Sequence, residues 1–154
     1  MILYLVRHAE AVEGEVDDER PLSKQGWAEV RRVARYAAEH LAIEVGQVFH
    51  SPKIRAGQTA WVLAQAMRPE PEVQEVDDLD PEADPQVWAG RLAVGQEDVL
   101  LVGHLPHLAR LASLLLCSDQ DPSVVTFQTG SVLCLERGEG GAWSVRWMVI
   151  PDIT

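Results

Sequence analysis

The chain opens with the stretch MILYLVRHAE (residues 1–10), in which an apolar run ends at an arginine and a histidine. Residues 2–6 have the near-continuous apolar pattern of a strand that is covered on both faces of a sheet. Arg7 and His8 therefore stand at the carboxyl end of a buried strand. Since ligands of open α/β sheets bind beyond the carboxyl ends of the strands, this position predicts a functional site.

The rest of the chain alternates predicted strands with predicted helices. Apolar runs predict strands at residues 48–49, 99–102, 132–135 and 143–150, and a brief strand around residues 73–76. Capping and periodicity predict helices after Ser23, over residues 54–67, from Asp84 through Leu92, and from Pro106 onwards. This order predicts a single domain over residues 1–154 with an α/β fold. The predicted fold is a three-layer α/β/α sandwich with a mainly parallel sheet and an antiparallel C-terminal edge.

Two packing expectations concern the C-terminal half. In the last predicted strand, Trp143, Val145 and Trp147 recur at every second position, which predicts one half-buried face. The two cysteines, Cys117 and Cys134, both lie in apolar surroundings and are expected to be small core residues. Their number and spacing do not suggest a disulfide framework or a metal site, so we expect a cytosolic protein.

Composition excludes several classes of function. The chain of 154 residues is 47% hydrophobic, which suits one compact core. Its net charge of −11 repels nucleic acid and anionic membranes, so neither is an expected partner. No stretch approaches the ~20 apolar residues of a membrane span, and no signal peptide is visible. A site that binds an anion therefore requires a local cluster of positively charged or hydrogen-bond-donating groups.

Three predicted strand ends carry side chains that can bind an anion. Arg7 and His8 follow the first strand, Ser51 follows the second with Arg55 in the next helical turn, and His104 follows residues 99–102. Arginine forks match phosphate oxygens, and helix N-termini favour negative charge. The sequence therefore predicts that two arginines and two histidines converge on a phosphate-sized anion.

Four segments that carry these residues occur in a familiar order. LVRHAE, RPLSKQG, SPKIRAGQT and VGHLP together resemble the histidine phosphatase superfamily, and most closely its small branch, the SixA-type phosphohistidine phosphatases. Ala9 departs from the pattern, because many members have glycine there. The resemblance implies a phosphoglycerate mutase-like fold without a large cap insertion.

The resemblance also implies roles for the site residues. His8 would be the nucleophile that carries the phosphoryl group, and Arg7, Arg55 and His104 would bind the phosphoryl oxygens. The guanidinium groups supply the positive charge, so no metal or other cofactor is expected.

Two supporting residues have two interpretations each. Arg20 matches a recurrent arginine of the SixA-type pattern and either reaches the site or pairs with Asp17 or Asp18. Ser51 either forms a hydrogen bond within the site or caps the turn at the following proline.

The substrate depends on whether a general acid is present. Hydrolysis of a phosphate monoester releases an alkoxide, which requires a general acid. Glu10, Asp80 and Glu82 remain open candidates for that acid. Phosphohistidine releases an imidazole, which departs more easily, so a general acid is less necessary. The short segment before residues 99–102 also predicts a shallow, open site. We therefore expect a phosphohistidine-bearing protein as partner, a histidine phosphotransfer domain being one example, and inorganic phosphate as product.

Three other functions compete with this hypothesis. A small-molecule phosphomonoesterase or phosphoglycerate-mutase-like enzyme would need a clear acid near residues 77–82. A non-catalytic phosphate-binding module would keep the pocket without turnover. A metal hydrolase would use His104 and His107 with a carboxylate, and it would be sensitive to chelators. The sequence does not fix the oligomeric state.

Overall fold

The computed structural model describes residues 1–120 and 124–154 and contains one mixed sheet. Its strands are β1 (Ile2–Arg7), β2 (Gln47–His50), β3 (Glu72–Glu75), β4 (Val99–Gly103), β5 (Val132–Arg137) and β6 (Trp143–Val149). Their spatial order is β3-β2-β4-β1-β5-β6. Pairs among β1 to β4 are parallel, whereas β5 and β6 are antiparallel to their neighbours. The predicted α/β fold with an antiparallel C-terminal edge is confirmed.

Helices cover both faces of this sheet. They are α1 (Lys24–His40), α2 (Ile54–Ala66), α3 (Pro85–Val94) and α4 (His107–Cys117). Two predicted ends differ by one residue, because Pro106 is the N-cap of α4 and Met67 is the C-cap of α2. Met67 has extended backbone, and Arg68 precedes a proline, a position that disfavours helix. No helix within the described ranges is long and apolar enough to cross a membrane.

Alternating side chains of β1 hold the three layers together. Tyr4 and Val6 belong to the core beneath α1 and α2, whereas Leu3 and Leu5 belong to the core beneath α3 and α4. All four are buried, as expected for a strand covered on both faces. The strand is therefore held rigidly, and so is its carboxyl end at Arg7.

The predicted single buried face of β6 is wrong. A β-bulge changes the register between Cys134 and Leu135 of β5, so that β6 has one residue without a partner. Because a bulge reverses the inside–outside alternation, Trp143 and Trp147 pack into cores on opposite faces of the sheet. Val145, which lies between them, is exposed.

The expectation for the cysteines is half right. Cys134 is buried in β5, and burial raises the pKa of its thiol to about 11. Cys117 is exposed, because it lies in the last turn of α4, beyond the apolar face of that helix. Both thiols are free.

The segment RPLSKQG fixes the loop that follows β1. Ser23 caps α1 by accepting a hydrogen bond from the Gly26 amide at 3.0 Å, and its own amide donates to the Glu10 carbonyl at 2.9 Å. A Cβ atom on Gly26 would lie 2.0 Å from the Glu10 carbonyl oxygen. Glycine therefore lets α1 pack directly against the backbone two residues beyond His8.

Candidate active site

The carboxyl ends of β1 and β4 are adjacent. Arg7 is paired in register with Gly103, and the His8 amide donates to the Gly103 carbonyl at 3.1 Å. Parallel pairing thus places His8 beside His104, and their ring centroids are 4.8 Å apart. The predicted convergence of these two strand ends is present.

The imidazole of His8 has a defined tautomer. Its Nδ1 lies 2.7 Å from the Ala9 carbonyl oxygen, which can only accept, so Nδ1 carries the proton. Nε2 therefore presents its lone pair, which accepts a hydrogen bond from the Nε–H of Arg55 at 3.3 Å. Burial, with Arg55 and Arg7 nearby, lowers the pKa of His8 to about 4, although the bond to Ala9 acts in the opposite direction. His8 is neutral at pH 7.

Arg7 is anchored at one edge of its guanidinium and unpaired at another. Its Nη1 donates to the Phe127 carbonyl at 2.7 Å. Its Nε–H is buried and has no hydrogen-bond partner among the described residues. Desolvation by burial lowers the pKa of Arg7 from its ordinary value. Such a donor gains energy from an incoming anion because it loses no existing bond.

His104, like Arg7, has one nitrogen with a hydrogen-bond partner and another without one in the described chain. The side chain is 2% exposed, and its Nε2 lies 2.5 Å from the Ser51 hydroxyl. Its Nδ1 is buried and lacks a partner in residues 1–120 and 124–154. Burial, followed by the charges around it, holds the pKa of His104 well below its usual range. If the Ser51 hydroxyl donates to Nε2, a neutral His104 carries its proton on Nδ1 and offers it as a second unused donor.

Of the two interpretations of Ser51, the structure places this residue in the site. The partner of its hydroxyl is His104, and Lys53 is the N-cap residue of α2. Ser51 links the end of β2 to the end of β4, so all three predicted strand ends meet here.

Arg55 lies in the first turn of α2 and is buried. Its Nη1 donates to the Asp17 carbonyl at 2.7 Å, and its Nη2 lies 3.2 Å from both carboxylate oxygens of Asp17. These bonds hold the guanidinium so that the Nε edge faces His8. The turn at Asp17–Glu19 thereby covers Arg55, whereas the sequence analysis considered Asp17 and Asp18 only as partners of Arg20.

Lys53 is a site residue that the sequence analysis missed. Its ammonium group pairs with Asp17 at 2.8 Å and also with Asp18. Burial acts to lower the pKa of Lys53, but the bonds to the two carboxylates outweigh it, and the pKa is raised. The same bonds hold the pKa of Asp17 far below its usual range. The signal was a lysine inside SPKIR, two residues before Arg55, together with the acidic pair Asp17 and Asp18, which the sequence analysis considered only as partners of Arg20.

Arg20 forms the ion pair that was one of its two interpretations. Its Nη1 lies 3.1 Å from Asp17, and its Nε donates to the Val12 carbonyl at 2.7 Å. Its charge nevertheless contributes to the lowered pKa of His8. Arg20 therefore stabilises the turn that covers Arg55.

The three candidate acids differ in their surroundings. Glu10 accepts a hydrogen bond from the Ser23 hydroxyl at 2.6 Å, and Glu82 is exposed near Arg110. Asp80 is half-buried, and one of its carboxylate oxygens is buried without a partner in the described chain. Burial raises the pKa of Asp80. Asp80 is thus the carboxyl group best suited to hold a proton.

A metal site at His104 and His107 finds no support in the side-chain arrangement. His107 is completely buried at the start of α4, and neither ring nitrogen has a partner among the residues described. Within those same residues, no three His, Cys, Asp or Glu side chains are grouped so that they could hold a metal ion.

Comparison with known proteins identifies the family. The model of the histidine phosphatase superfamily, branch 1, matches residues 3–94, which include Arg7, His8 and Arg55. The chain belongs to this superfamily. Membership confirms the predicted enzyme class, a phosphatase, which is a hydrolase.

Individual relatives extend over almost the whole chain. The phosphohistidine phosphatase SixA of Escherichia coli strain K12 is 26% identical over 156 residues, covering 98% of this chain and 94% of that protein. A structure of the protein histidine phosphatase SixA complexed with tungstate superposes with a TM-score of 0.87, at 25% identity and 99% coverage of both chains.

The same fold occurs with other phosphatase names. The alpha-ribazole phosphatase of Shigella flexneri is 14% identical, with a TM-score of 0.76 and coverage of 98% of this chain and 97% of that chain. This likeness concerns the fold alone, so the substrate must be argued from the site.

Proposed function

We propose that this protein is a metal-independent phosphatase that forms a phosphohistidine intermediate on His8 and removes phosphate from phosphohistidine on another protein. One observation carries the proposal. A neutral histidine, whose Nε2 lone pair accepts a 3.3 Å hydrogen bond from Arg55, stands beside two buried nitrogens, Arg7 Nε and His104 Nδ1, that have no partner in the described chain. A phosphoryl group fits this arrangement, because its phosphorus accepts the lone pair of His8 and its oxygens accept hydrogen bonds from Arg7 and His104.

In the first step, Nε2 of His8 attacks phosphorus. A bond forms between Nε2 and phosphorus as the bond from phosphorus to the leaving group breaks, and the leaving group takes the electron pair. Arg7, Arg55 and His104 donate to the phosphoryl oxygens, which carry the negative charge of the transition state. The Nδ1–H bond to Ala9 stabilises the positive charge that develops on the ring.

In the second step, water replaces His8. Its oxygen bonds to phosphorus, the electron pair of the P–N bond returns to Nε2, and the proton of water is lost to solvent. Inorganic phosphate and neutral His8 result. The low pKa of His8 favours this step, because a less basic imidazole is a better leaving group.

Phosphohistidine is the preferred substrate because of its leaving group. The leaving group is an imidazole whose conjugate acid has a pKa of ~6.5, so it departs easily, whereas an alkoxide needs a proton from a nearby acid. Glu10 is engaged by Ser23, and Glu82 lies at the surface. The similarity to SixA proteins supports the same substrate class, and tungstate in one of them is a tetrahedral oxyanion like phosphate.

A small-molecule phosphomonoesterase is the second candidate, and one observation favours it. Asp80 has a buried oxygen without a partner in the described chain and a raised pKa, as a proton donor to an alkoxide would require. Its electrostatic neighbours include Lys53, which also acts on His104.

The test compares substrates and traps the intermediate. Without added metal, phosphate release is measured from a phosphohistidine-bearing protein and from a panel of phosphomonoesters. His8→Ala is the site variant, and His40→Ala removes an exposed histidine at the end of α1 as the matched control. We expect His8→Ala to lose at least about 1,000-fold in rate, since it removes the nucleophile. Alkaline quenching followed by mass spectrometry should locate phosphate on His8.

Each outcome decides between hypotheses. Faster turnover of the protein phosphohistidine, lost in His8→Ala and kept in His40→Ala, supports the proposal. Strong preference for one small ester replaces it with the second candidate. Phosphate binding without any turnover would instead identify a binding module.

A further inference from the structure

A groove between α1 and α2, on the outer side of the molecule, has no role in the proposed function. Two cavities of about 360 and 330 Å³ lie along it and adjoin each other, because Ala34 and Ala66 line both. Its floor is apolar and includes Leu63 and Met67. It follows α1 from Arg31 to Ala38 for about 10 Å, or two helical turns, and continues to Ala42 beyond the end of that helix.

The charge of this groove is opposite to that of the whole chain. Three arginines line it, Arg31, Arg35 and Arg68, against one carboxylate, Glu44. The chain as a whole has 24 acidic and 13 basic residues. Arg31 and Arg35 are exposed, and neither forms an ion pair with any residue in the described ranges.

An exposed tryptophan stands between these charges. Trp61 has 52% of its surface exposed, whereas Trp88 on the other side of the sheet is 4% exposed. Trp61 lines the same cavity as Arg31 and Arg35. The guanidinium of Arg31 is 5.4 Å from the ring centroid of Trp27, which restricts its movement. Tryptophan and arginine are the residues that most often dominate binding energy at protein interfaces.

We propose that this groove binds an amphipathic helix of another protein, with apolar residues on one face and acidic residues along its edges. Apolar side chains of that helix would cover Trp61 and the floor, and its carboxylates would pair with Arg31, Arg35 and Arg68. Nucleic acid does not fit, because the net charge of −11 repels it. This inference does not depend on the proposed function.

The test uses a defined probe. A fluorescein-labelled peptide of leucine and glutamate, with the leucines at helical spacing, is titrated with the protein and followed by fluorescence anisotropy. A peptide with lysine in place of glutamate is the charge control. The groove variants are Arg31→Glu with Arg35→Glu, and separately Trp61→Ala. The matched control, Lys24→Glu with Arg146→Glu, makes the same change in net charge outside the groove.

We expect the wild type to bind the glutamate peptide and not the lysine peptide, with an affinity that falls as salt rises. Each groove variant should bind about tenfold more weakly or worse, and the matched control should stay within about twofold. Melting curves and phosphate release, which these exposed positions should not alter, show that the variants are folded.

Four results would overturn the proposal. The first three are equal loss in the matched control, equal binding of the lysine peptide, and no binding of either peptide by the wild type. A fourth is self-association of the wild type in sedimentation that Arg31→Glu with Arg35→Glu abolishes, because a second copy would then occupy the groove. Failure of the phosphatase assay alone would leave these binding results unaffected.

Discussion

The carboxylate of Asp17 lies 3.2 Å from Nη2 of Arg55 and 2.8 Å from Nζ of Lys53, so one acidic side chain holds two buried cations. The backbone carbonyl of Asp17 binds Arg55 as well. A phosphoryl group therefore binds to a guanidinium that Asp17 already orients through its Nη1 and Nη2 atoms. Asp17 is a positioning residue for the proposed reaction.

Replacing this carboxylate tests the positioning role. We expect Asp17→Asn to lower kcat/KM by about tenfold, because Arg55 loses its ion pair while the backbone bond remains. Asp18→Asn, which removes a carboxylate that pairs with Lys53 and not with Arg55 among the described residues, is the matched control and should have a smaller effect. The measurement is steady-state kinetics together with inorganic phosphate binding by calorimetry. Tighter phosphate binding by Asp17→Asn would show instead that Asp17 competes with substrate.

The protonation of His8 predicts a pH limit. Its pKa is lowered to about 4 by burial and by the arginines, so Nε2 stays unprotonated until the pH falls close to that value. In the free enzyme, protonation of His8 should not lower kcat/KM as the pH falls from 7 to 5. An NMR titration of the ring signals of His8 checks this directly. A midpoint for His8 near 6.5 would contradict the buried, neutral nucleophile.

Much of the site was predictable because strand ends are predictable. Apolar runs locate the ends of β1 and β4, and parallel pairing then brings Arg7, His8 and His104 together whatever the loops do. Arg55 follows from its place in the first turn of α2. These positions depend on local patterns and on one rule of topology.

The remainder depended on the paths of loops. Asp17 reaches Lys53 only because the turn at Asp17–Glu19 folds back over α2, and no periodicity in the sequence encodes that path. The bulge that separates Trp143 from Trp147 is likewise invisible in an alternating pattern, since one unpaired residue changes the face of every residue beyond it.

His107 is expected to reduce stability. Its ring is completely buried and has no hydrogen-bond partner in the part of the chain that the structure describes, so two polar nitrogens are desolvated without compensation. We expect His107→Leu to raise the free energy of unfolding by about 1–2 kcal/mol at pH 7, measured by urea denaturation. His40→Leu, at an exposed position, should change it little.

The same substitution should alter the pH dependence of stability. Burial lowers the pKa of His107 to about 4, so between the ordinary value near 6.5 and about 4 the unfolded chain binds a proton that the folded chain does not. Stability is therefore lost as the pH falls through this window. The advantage of His107→Leu should grow from pH 7 to pH 4.5, and a constant difference would mean that the pKa of His107 is the same in the folded and unfolded chains.

Asp80 distinguishes the two candidate functions. Its buried, unpartnered oxygen and raised pKa suit a proton donor, and only an alkoxide leaving group needs one. We expect Asp80→Asn to lower phosphomonoester hydrolysis by about tenfold or more while changing phosphohistidine turnover by less than about twofold. Glu82→Gln, which removes an exposed carboxyl group nearby, is the matched control. An equal loss on both substrates would show that Asp80 supports the pocket and does not supply a proton, because pocket damage affects every substrate alike.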